Sequence, residues 1–235
     1  MVDSFFAGRT LDAGDVILFG GGGHGKTLID LVRAGGRLHV VGIVDDGLAA
    51  GSTVMGVPVL GGAAILPEIY GRGVRLAING VGGINHVEVR VKVFEMLRTA
   101  GFAFPTLVHP TALIEPSALL EGGVQVLAKS YVSSEVHIGF GTVINAGVVV
   151  SHDCMLGKVV NLSPGAMLAG GVKVEDYAQI GMAVTVNLNI TIGRSARIGN
   201  GATVKADVPA GSVVRAGTIW PVNPGLPAQT GSPQG

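Results

Sequence analysis

A histidine followed by an aspartate, at His152 and Asp153, is the pair of side chains in this sequence best suited to move a proton. Imidazole changes its charge near neutral pH, so it can accept a proton from a nucleophile and return one to a leaving group. The adjacent carboxylate can fix the imidazole tautomer or stabilise the imidazolium. The pair predicts general acid–base catalysis; a solvated turn histidine is the alternative. Cys154 falls on an inward position of a six-residue repeat and is assigned to packing.

A glycine-rich turn near the N-terminus is typical of phosphate recognition. Gly20, Gly22 and Gly25 satisfy G-x-G-x-x-G between a predicted strand and a predicted helix, and Asp45 follows the last glycine by twenty positions. Bare amides at a helix N-terminus can approach a phosphate closely, and the acidic residue can bind ribose hydroxyls. The candidate ligands are Gly22, Gly23, Gly25, Asp45 and, in a later polar turn, Asn79. The alternative is a purely structural turn that binds nothing.

A six-residue repeat occupies the second half of the chain. Every sixth residue from Val108 to Val204 is aliphatic, and the residues four places after each, from Ala112 to Val208, are small or β-branched. A period of six fits short strands joined by sharp corners, with three hexads closing one triangular coil. Seventeen hexads in phase therefore predict between five and six coils of a parallel β-helix, ending at Pro209.

The corners of such coils need residues that accept unusual backbone geometry. Glycine or asparagine often follows the aliphatic position directly, as at Gly139 and Asn145, and these types tolerate a positive φ or a crowded turn. One coil spans three hexads, so residues 18 apart stack on each other. This register places four residues in one line: His152, Gly170, Leu188 and Ala206. The spacing does not determine the handedness of the coil.

The first hundred residues lack the repeat and predict a separate α/β domain. Strands are predicted over 15–19, 38–44 and 74–78, and helices over 26–34 and 87–100, in a domain of three or four strands. This is too short for the complete six-stranded dinucleotide-binding fold. We expect a Rossmann-like nucleotide-binding domain over 1–106, a β-helix over 107–220 and a flexible tail over 221–235.

Composition limits the classes of partner. The chain has 16 basic and 16 acidic residues, so its net charge of zero gives no bulk attraction to nucleic acid or to an anionic membrane. A single cysteine excludes an intrachain disulfide framework and a thiolate metal cluster, and we expect no metal cofactor. The N-terminus has no signal-peptide pattern, and no segment is apolar enough to span a membrane. A cytoplasmic location is expected.

The order of these motifs resembles one family. The glycine-rich opening, the stretch NAGVVVSHDC ending at Cys154 and the stretch SPGAMLAG ending at Gly170 look like those of the sialic-acid O-acetyltransferase and PglD-type sugar acetyltransferases. The resemblance covers nearly the whole chain. It implies a left-handed β-helix of hexapeptide repeats and a homotrimer with active sites between neighbouring β-helices. It also implies acetyl-CoA as co-substrate in that groove and a nucleotide-linked sugar on the N-terminal domain. His24 is then a nucleotide-sugar contact or a helix-start residue.

The residues and their 18-residue stacking predict single roles independently of the resemblance. His152 is the general base, Gly170 presents an N–H to the acetyl carbonyl, and Leu188 and Ala206 form an apolar track for the pantetheine arm. The resemblance adds that Asp153 stands where the family usually has glutamate. Asn161 stands where many members have a histidine. It can donate a hydrogen bond to acetyl-CoA but cannot titrate.

We therefore predict an acetyl-CoA-dependent N-acetyltransferase that modifies the amino group of a nucleotide-linked 4-amino-4,6-dideoxysugar, with UDP preferred over GDP or dTDP as the nucleotide. Two alternatives stay open. One is O-acetylation of a sugar such as sialic acid, and the other is a non-catalytic β-helix protein that binds sugar nucleotides. Product analysis separates N-acetylation from O-acetylation. Failure to bind acetyl-CoA would favour the non-catalytic binding protein.

Overall fold

The computed structural model describes residues 5–6, 8, 10–84 and 87–221, and these form an α/β domain followed by a parallel β-helix. The predicted tail beyond Pro221 lies outside the described residues. Among the residues described, no helix has the length and apolar character needed to cross a lipid bilayer.

The α/β domain is built on a five-stranded sheet, sheet A, in the order β3–β4–β2–β1–β5. Its elements are β1 Asp15–Phe19, α1 Gly23–Gly35, β2 His39–Val44, β3 Thr53–Val54, β4 Val57–Gly61, a 3₁₀ turn Ala63–Ile65, α2 Leu66–Gly71, β5 Leu76–Asn79 and α3 Val87–Thr99. The strands β4, β2, β1 and β5 are parallel, in the order of half a Rossmann fold. The antiparallel β3–β4 hairpin was not predicted, because β3 is two residues long and Pro58 interrupts the pattern of β4.

The carboxyl ends of the central strands meet at one edge of sheet A. All five residues of β1 are buried, as expected for a central parallel strand. At its end, the Gly20 amide donates to the Val44 carbonyl at 2.8 Å, and the Gly80 amide donates to the Phe19 carbonyl at 2.7 Å. These bonds bring the glycine turn next to the residues that follow β2 and β5. The predicted nucleotide ligands therefore share one edge of the domain.

The β-helix has three parallel sheets, named B, C and D here. Sheet B contains Leu107–Val108 (β6), Gln125–Val126 (β9), Val143–Ile144 (β12), Asn161–Leu162 (β15), Gln179–Ile180 (β18), Arg197–Ile198 (β21) and Val213–Val214 (β23). Sheet C contains Leu113–Ile114 (β7), Tyr131–Val132 (β10), Val149–Val150 (β13), Met167–Leu168 (β16), Thr185–Val186 (β19), Thr203–Val204 (β22) and Ile219–Trp220 (β24). Sheet D contains Leu119–Leu120 (β8), His137–Ile138 (β11), Met155–Leu156 (β14), Lys173–Val174 (β17) and Thr191–Ile192 (β20).

The second residue of each strand points into the coil and forms its core. Val150, Leu168 and Val186 stack at 18-residue intervals on sheet C and are 0%, 1% and 3% exposed. Burial of each such side chain contributes roughly 1.5–3 kcal/mol. The six-residue period and the 18-residue coil are therefore confirmed, and the smaller residues four places after the aliphatic position, such as Val148 and Ala166, are buried in the same core.

The two features predicted for the corners, positive φ and crowding, occur at different positions. Positive φ occurs three residues after the inward aliphatic position, as at Gly147 (φ 66°) and Asp153 (φ 60°), and not directly after it. The glycine directly after the aliphatic position is required for a different reason. A Cβ on Gly139 would lie 2.7 Å from the backbone of Gly157 in the next coil. Close approach of successive coils, and not a left-handed backbone, excludes larger residues there.

The last coil is shorter than the others. Arg197 pairs with Val213 and Thr203 pairs with Ile219, a spacing of 16 residues instead of 18. The hexads in phase end at Pro209, yet the β-helix continues to Trp220. Because the last two strands are shifted by two residues, the six-residue period did not predict them.

The α/β domain packs against sheet B and the corner between sheets D and B. The Arg90 guanidinium donates to the Gly141 carbonyl of this corner at 3.1 Å. Phe94 of α3 makes edge-to-face contacts with Phe104 and Phe140. Because the three sheets form a triangle, the corner between sheets C and D is the vertex opposite the α/β domain. That corner carries His152.

Candidate active site

His152 and Asp153 lie on the corner between sheets C and D, directly after β13. Asp153 adopts the left-handed backbone conformation of the corner, and its amide donates to the Ser134 carbonyl of the preceding coil at 3.1 Å. Asp153 is one of the non-glycine residues that occupy this position. A short polar side chain tolerates this conformation better than most. The corner therefore projects two adjacent side chains away from the core.

The two side chains form a hydrogen-bonded pair. His152 Nδ1 lies 2.6 Å from Asp153 Oδ2, and the two side chains are 63% and 64% exposed. The carboxylate has only acceptor atoms, so Nδ1 carries the proton and Nε2 of the neutral ring presents a lone pair. This arrangement orients the imidazole as a base with its reactive nitrogen free.

Gly170 lies directly against the His152 ring, as the 18-residue register predicts. A Cβ on Gly170 would be 2.5 Å from His152 Cε1 and 2.7 Å from His152 Nε2, so only glycine fits. The amide of Gly171 donates to the His152 carbonyl at 2.9 Å, which fixes the two coils in register. The Gly170 N–H has no backbone acceptor among the described residues. It is thus available as a donor close to the base.

The same line continues with Leu188 and Ala206. Leu188 is 63% exposed and Ala206 is half-buried. The Asn189 amide donates to the Gly170 carbonyl at 3.0 Å, which keeps the coil of Leu188 in register with the coil of Gly170. Ala206 lies at the start of the shortened corner of the last coil. The line presents small and apolar side chains and no charge.

Cys154 is next to this pair but faces the core. Its side chain is buried, and its thiol contacts the Ala169 carbonyl at 3.2 Å. Burial and the nearby Asp153 charge outweigh backbone hydrogen bonds and raise the pKa of the thiol to about 11. A thiol in this state is protonated at neutral pH and is not a nucleophile. The packing role assigned to Cys154 is supported.

The glycine turn lies at the carboxyl end of β1. Gly20 has φ 98°, and a Cβ on Gly25 would collide with the Gly20 carbonyl, so both positions require glycine. Gly22 is the N-cap of α1, and a Cβ on either Gly22 or Gly23 would meet open space. The first amides of α1 have no intrahelical acceptor. An anion can therefore approach this end of the helix without steric hindrance.

Asp45 supports the glycine turn. Its Oδ2 accepts a hydrogen bond from the Gly21 amide and its Oδ1 accepts one from the Gly47 amide, both at 2.8 Å. Each oxygen keeps a lone pair for a ribose hydroxyl. Asp45 thus connects the ends of β1 and β2 at the place where the sequence predicts a ligand.

Asn79 is buried, and both polar atoms of its side-chain amide are hydrogen-bonded within the protein. It is 1% exposed, its Nδ2 donates to the Arg90 carbonyl at 2.9 Å, and its Oδ1 accepts from the Val81 amide at 3.1 Å. The Asn79 carbonyl also accepts a hydrogen bond from the Arg90 guanidinium at 3.2 Å. A polar residue at the carboxyl end of a parallel strand often meets ligand, but the Asn79 side chain turns inward and bonds to the Arg90 carbonyl.

His24 lies at the boundary between the α/β domain and the β-helix. Its Nε2 is 2.8 Å from Gln125 Oε1 of sheet B. Burial and the Arg90 charge lower its pKa to about 4, and the hydrogen bond with Gln125 offsets part of this shift. His24 is therefore neutral at physiological pH, which distinguishes it from a cationic phosphate ligand.

Asn161 is separated from His152 within one chain. It lies on sheet B, is 3% exposed, and its Nδ2 donates to Ser163 Oγ at 3.2 Å. A Cβ on Gly83 would be 2.5 Å from Asn161 Oδ1, so the loop after β5 lies directly on this side chain. The predicted site residues therefore form two groups. His152, Asp153, Gly170, Leu188 and Ala206 lie on one side of the β-helix, and His24, Asp45, Asn161 and the glycine turn lie on the other.

Three comparisons with known proteins bear on this arrangement. Residues 15–97 match the family model described as PglD N-terminal domain. GDP-perosamine N-acetyltransferase of Escherichia coli O157:H7 is 32% identical over 207 residues, which cover 84% of this chain and 91% of the relative. The chain belongs to the PglD-type family of hexapeptide-repeat sugar acetyltransferases.

Solved structures agree with this membership. A perosamine N-acetyltransferase variant from Caulobacter crescentus, in complex with CoA and GDP-perosamine, aligns with a TM-score of 0.82 at 35% identity over 88% of this chain and 96% of that one. The acetyltransferase domain of PglB from Neisseria gonorrhoeae FA1090, in complex with acetyl coenzyme A, aligns with a TM-score of 0.78 at 31% identity. The alignment covers 88% of this chain and 98% of that one. The predicted fold class, a Rossmann-like domain followed by a left-handed β-helix, is confirmed, and the protein is an acyltransferase.

Two buried residues at the boundary between the α/β domain and the β-helix were not predicted from the sequence. Gln125 is the outward-facing residue of a β-helix strand, a position normally in solvent, and Arg90 is one charged residue of an amphipathic helix. Both are buried because two domains meet over them. No local pattern marks such positions.

One group of potential metal ligands lies apart from these residues. Asp12, Asp15 and His39 each offer an atom, and these atoms lie within 4.8 Å of one another. They are at the start of β1 and β2, the edge of sheet A opposite the glycine turn.

Proposed function

We propose that this protein is an acetyl-CoA-dependent N-acetyltransferase that acts on the amino group of a nucleotide-linked 4-amino-4,6-dideoxysugar. The observation that carries the proposal is the His152–Asp153 pair with the free amide of Gly170 beneath it. These groups supply the base and the oxyanion donor that acyl transfer to an amine requires.

The reaction follows from the free atoms at this corner. His152 Nε2 accepts a proton from the sugar amine as the C–N bond to the acetyl carbon forms. The Gly170 N–H donates to the carbonyl oxygen as negative charge develops there. Collapse of the tetrahedral intermediate breaks the C–S bond, and the imidazolium returns the proton to the thiolate of CoA. Asp153 stabilises the imidazolium between these steps.

The two co-substrates occupy different surfaces in this proposal. The pantetheine arm of acetyl-CoA follows Leu188 and Ala206, because an uncharged line suits an aliphatic amide chain. The nucleotide phosphates lie at the amides of Gly22 and Gly23, and Asp45 accepts hydrogen bonds from the ribose. We revise the expected nucleotide from UDP to GDP, since the relatives at 32% and 35% identity are named for GDP-perosamine.

The complete site forms between chains of a homotrimer. Within one chain the base and the nucleotide site lie on opposite sides of the β-helix, so a sugar on the α/β domain cannot reach the base of its own chain. Outward side chains on sheets C and D include large exposed apolar residues: Leu113, Leu119, Met155 and Met167, at 58%, 67%, 45% and 47% exposure. Such a surface is typical of a protein contact. We propose that His152 of one chain faces Asn161 and the glycine turn of the next.

The test is acetyl-CoA-dependent thiol release with GDP-, UDP- and dTDP-linked 4-amino sugars and with sialic acid, followed by mass spectrometry of the product. We expect turnover on a GDP-linked amino sugar and a kcat for His152→Ala about 10³-fold lower. His39→Ala, at the edge of sheet A opposite the glycine turn, is the matched control and should keep native activity. Acetylation of sialic acid alone, or no acetylation at all, would contradict the proposal.

A further inference from the structure

Gln125 of the β-helix reaches into the α/β domain and contacts the histidine of the glycine turn. Its Oε1 lies 2.8 Å from His24 Nε2, and its own Nε2 donates to the Asn79 carbonyl at 2.9 Å. Gln125 is 2% exposed. Because a carbonyl oxygen can only accept, the amide nitrogen must face Asn79 and the amide oxygen must face His24. The orientation of Gln125 is thus determined by its partners.

This orientation determines the tautomer of His24. The Gln125 oxygen has lone pairs and no proton, so His24 Nε2 must carry the N–H. Burial and the charge of Arg90 keep the ring neutral by lowering its pKa to about 4. A neutral imidazole carries a single ring proton, so Nδ1 is an acceptor.

His24 Nδ1 is left without a partner in the described part of the protein. No hydrogen bond joins it to any described residue. It is also not among the buried side-chain atoms of those residues that lack a partner, and His24 is only partly buried. His24 is the second residue of α1 and adjoins the glycine amides.

The network behind Gln125 holds both domains in place. The Arg90 guanidinium donates to the carbonyls of Asn79, Val81 and Gly141, at 3.2, 2.6 and 3.1 Å. It therefore links the loop after β5 to the corner of the β-helix. With this support, the Asn79 carbonyl is a fixed acceptor for Gln125.

We propose that Gln125 is a positioning residue that holds His24 with Nδ1 as hydrogen-bond acceptor for a hydroxyl or amino group of the nucleotide-linked sugar. The proposal rests on the proposed function and names the chemistry of one subsite. A phosphate oxygen has no proton to donate at neutral pH, so the helix amides take the phosphates and His24 takes a donor group. Gln125 thus acts across the domain boundary on substrate binding.

Kinetics with paired variants test this role. Gln125→Met removes the acceptor for Nε2–H, and we expect the KM for the nucleotide sugar to rise about tenfold while kcat and the KM for acetyl-CoA stay the same. His24→Asn replaces Nδ1 by an amide oxygen that has no tautomers. In the His24→Asn background, Gln125→Met should change this KM by about twofold or less. An equal tenfold effect in both backgrounds would overturn the proposal, because Gln125 would then act through packing alone.

A spectroscopic measurement tests the tautomer without turnover. In full-length protein labelled with ¹⁵N-histidine and free of substrate, His24 should show a protonated Nε2 and an unprotonated Nδ1. Gln125→Met should give a mixture of tautomers, whereas Gln179→Met, in the same column of sheet B, should leave the His24 signals unchanged. A protonated Nδ1 in the native protein would overturn the proposal, even if Gln125→Met failed to fold. Absence of N-acetylation would instead refute the proposed function and leave the tautomer result standing.

Discussion

The two histidines of the proposed site, His152 and His24, lie in opposite surroundings on opposite sides of the β-helix. His152 is 63% exposed and is oriented by a carboxylate. His24 is largely buried, is oriented by a neutral amide and lies near a buried cation, which keeps it uncharged. A carboxylate in solvent permits the imidazole to gain and lose a proton, whereas an amide in the interior fixes its protonation. The comparison assigns proton transfer to one histidine and hydrogen-bond acceptance to the other.

Gly170→Ala should produce the largest effect and affect only the His152 side. The added Cβ would occupy the place of the imidazole ring, so the ring and the amide donor would both shift. We expect kcat to fall about 10³-fold, as for loss of an oxyanion donor, with the KM for nucleotide sugar unchanged. Gly147→Ala is the control: its φ of 66° predicts a loss of roughly 1 kcal/mol in stability and native kcat. Equal kcat values for the two variants would contradict the assigned geometry.

The pH dependence of the free energy of unfolding should show that His24 is held neutral in the folded protein. The unfolded chain protonates this histidine below about pH 6.5, but the folded protein does so only near pH 4, so the unfolded state binds more protons in this window. The contribution of neutral His24 to the free energy of unfolding is therefore complete above pH 6.5. It is lost as the pH falls towards 4, by up to roughly 3 kcal/mol. Urea unfolding at several pH values should show a shallower loss for His24→Asn than for the native protein. Parallel curves would show that His24 is not held neutral.

Gly22→Asp should weaken nucleotide binding without affecting the chemistry at His152. A Cβ at position 22 would meet no atom within 4 Å, and the carboxylate beyond it would lie close to where phosphates are proposed to bind. Charge repulsion there predicts a KM for nucleotide sugar about 100-fold higher, with KM for acetyl-CoA unchanged. Gly35→Asp, also in open space but at the other end of α1, is the matched control. A similar KM for both variants would place the phosphates elsewhere.

Asp153→Asn should produce the smallest of these effects. An amide can still orient the His152 ring but cannot stabilise the imidazolium by charge, and solvent screens an exposed pair. We expect kcat to fall about tenfold with both KM values retained. Measurement over a range of pH should show the loss at each value. Native kcat in this variant would mean that Asp153 is only a corner residue.

The β-helix could be predicted in detail because its core uses the same two positions in every six residues. Val150 and Leu168 are inward because the period requires it, and Gly170 follows His152 by one coil. The short last coil escaped prediction because Val213 and Ile219 are out of phase by two residues. Periodicity thus identifies the repeat and the line of residues along it, and fails where the coil length changes.

The domain boundary could not be predicted in the same way. Asn79 ends a parallel strand, as ligand residues often do, but its side chain is directed inward to Arg90, eleven positions later. Gln125 and His24 are 101 residues apart and meet only because sheet B packs on α1. Their roles depend on the relative placement of two domains. A local sequence pattern carries no information on that placement.

The central claim is that His152 of one chain serves the nucleotide site of another, and complementation between chains tests it most directly. Chains carrying His152→Ala and chains carrying Gly22→Asp would be co-expressed with different affinity tags, and mixed oligomers would be isolated by purification on both tags. Each variant alone should be nearly inactive at low nucleotide-sugar concentration. In a mixed trimer about one site in three combines native residues from two chains, so we expect about a third of native activity. Activity no greater than that of the separate variants would contradict a site shared between chains.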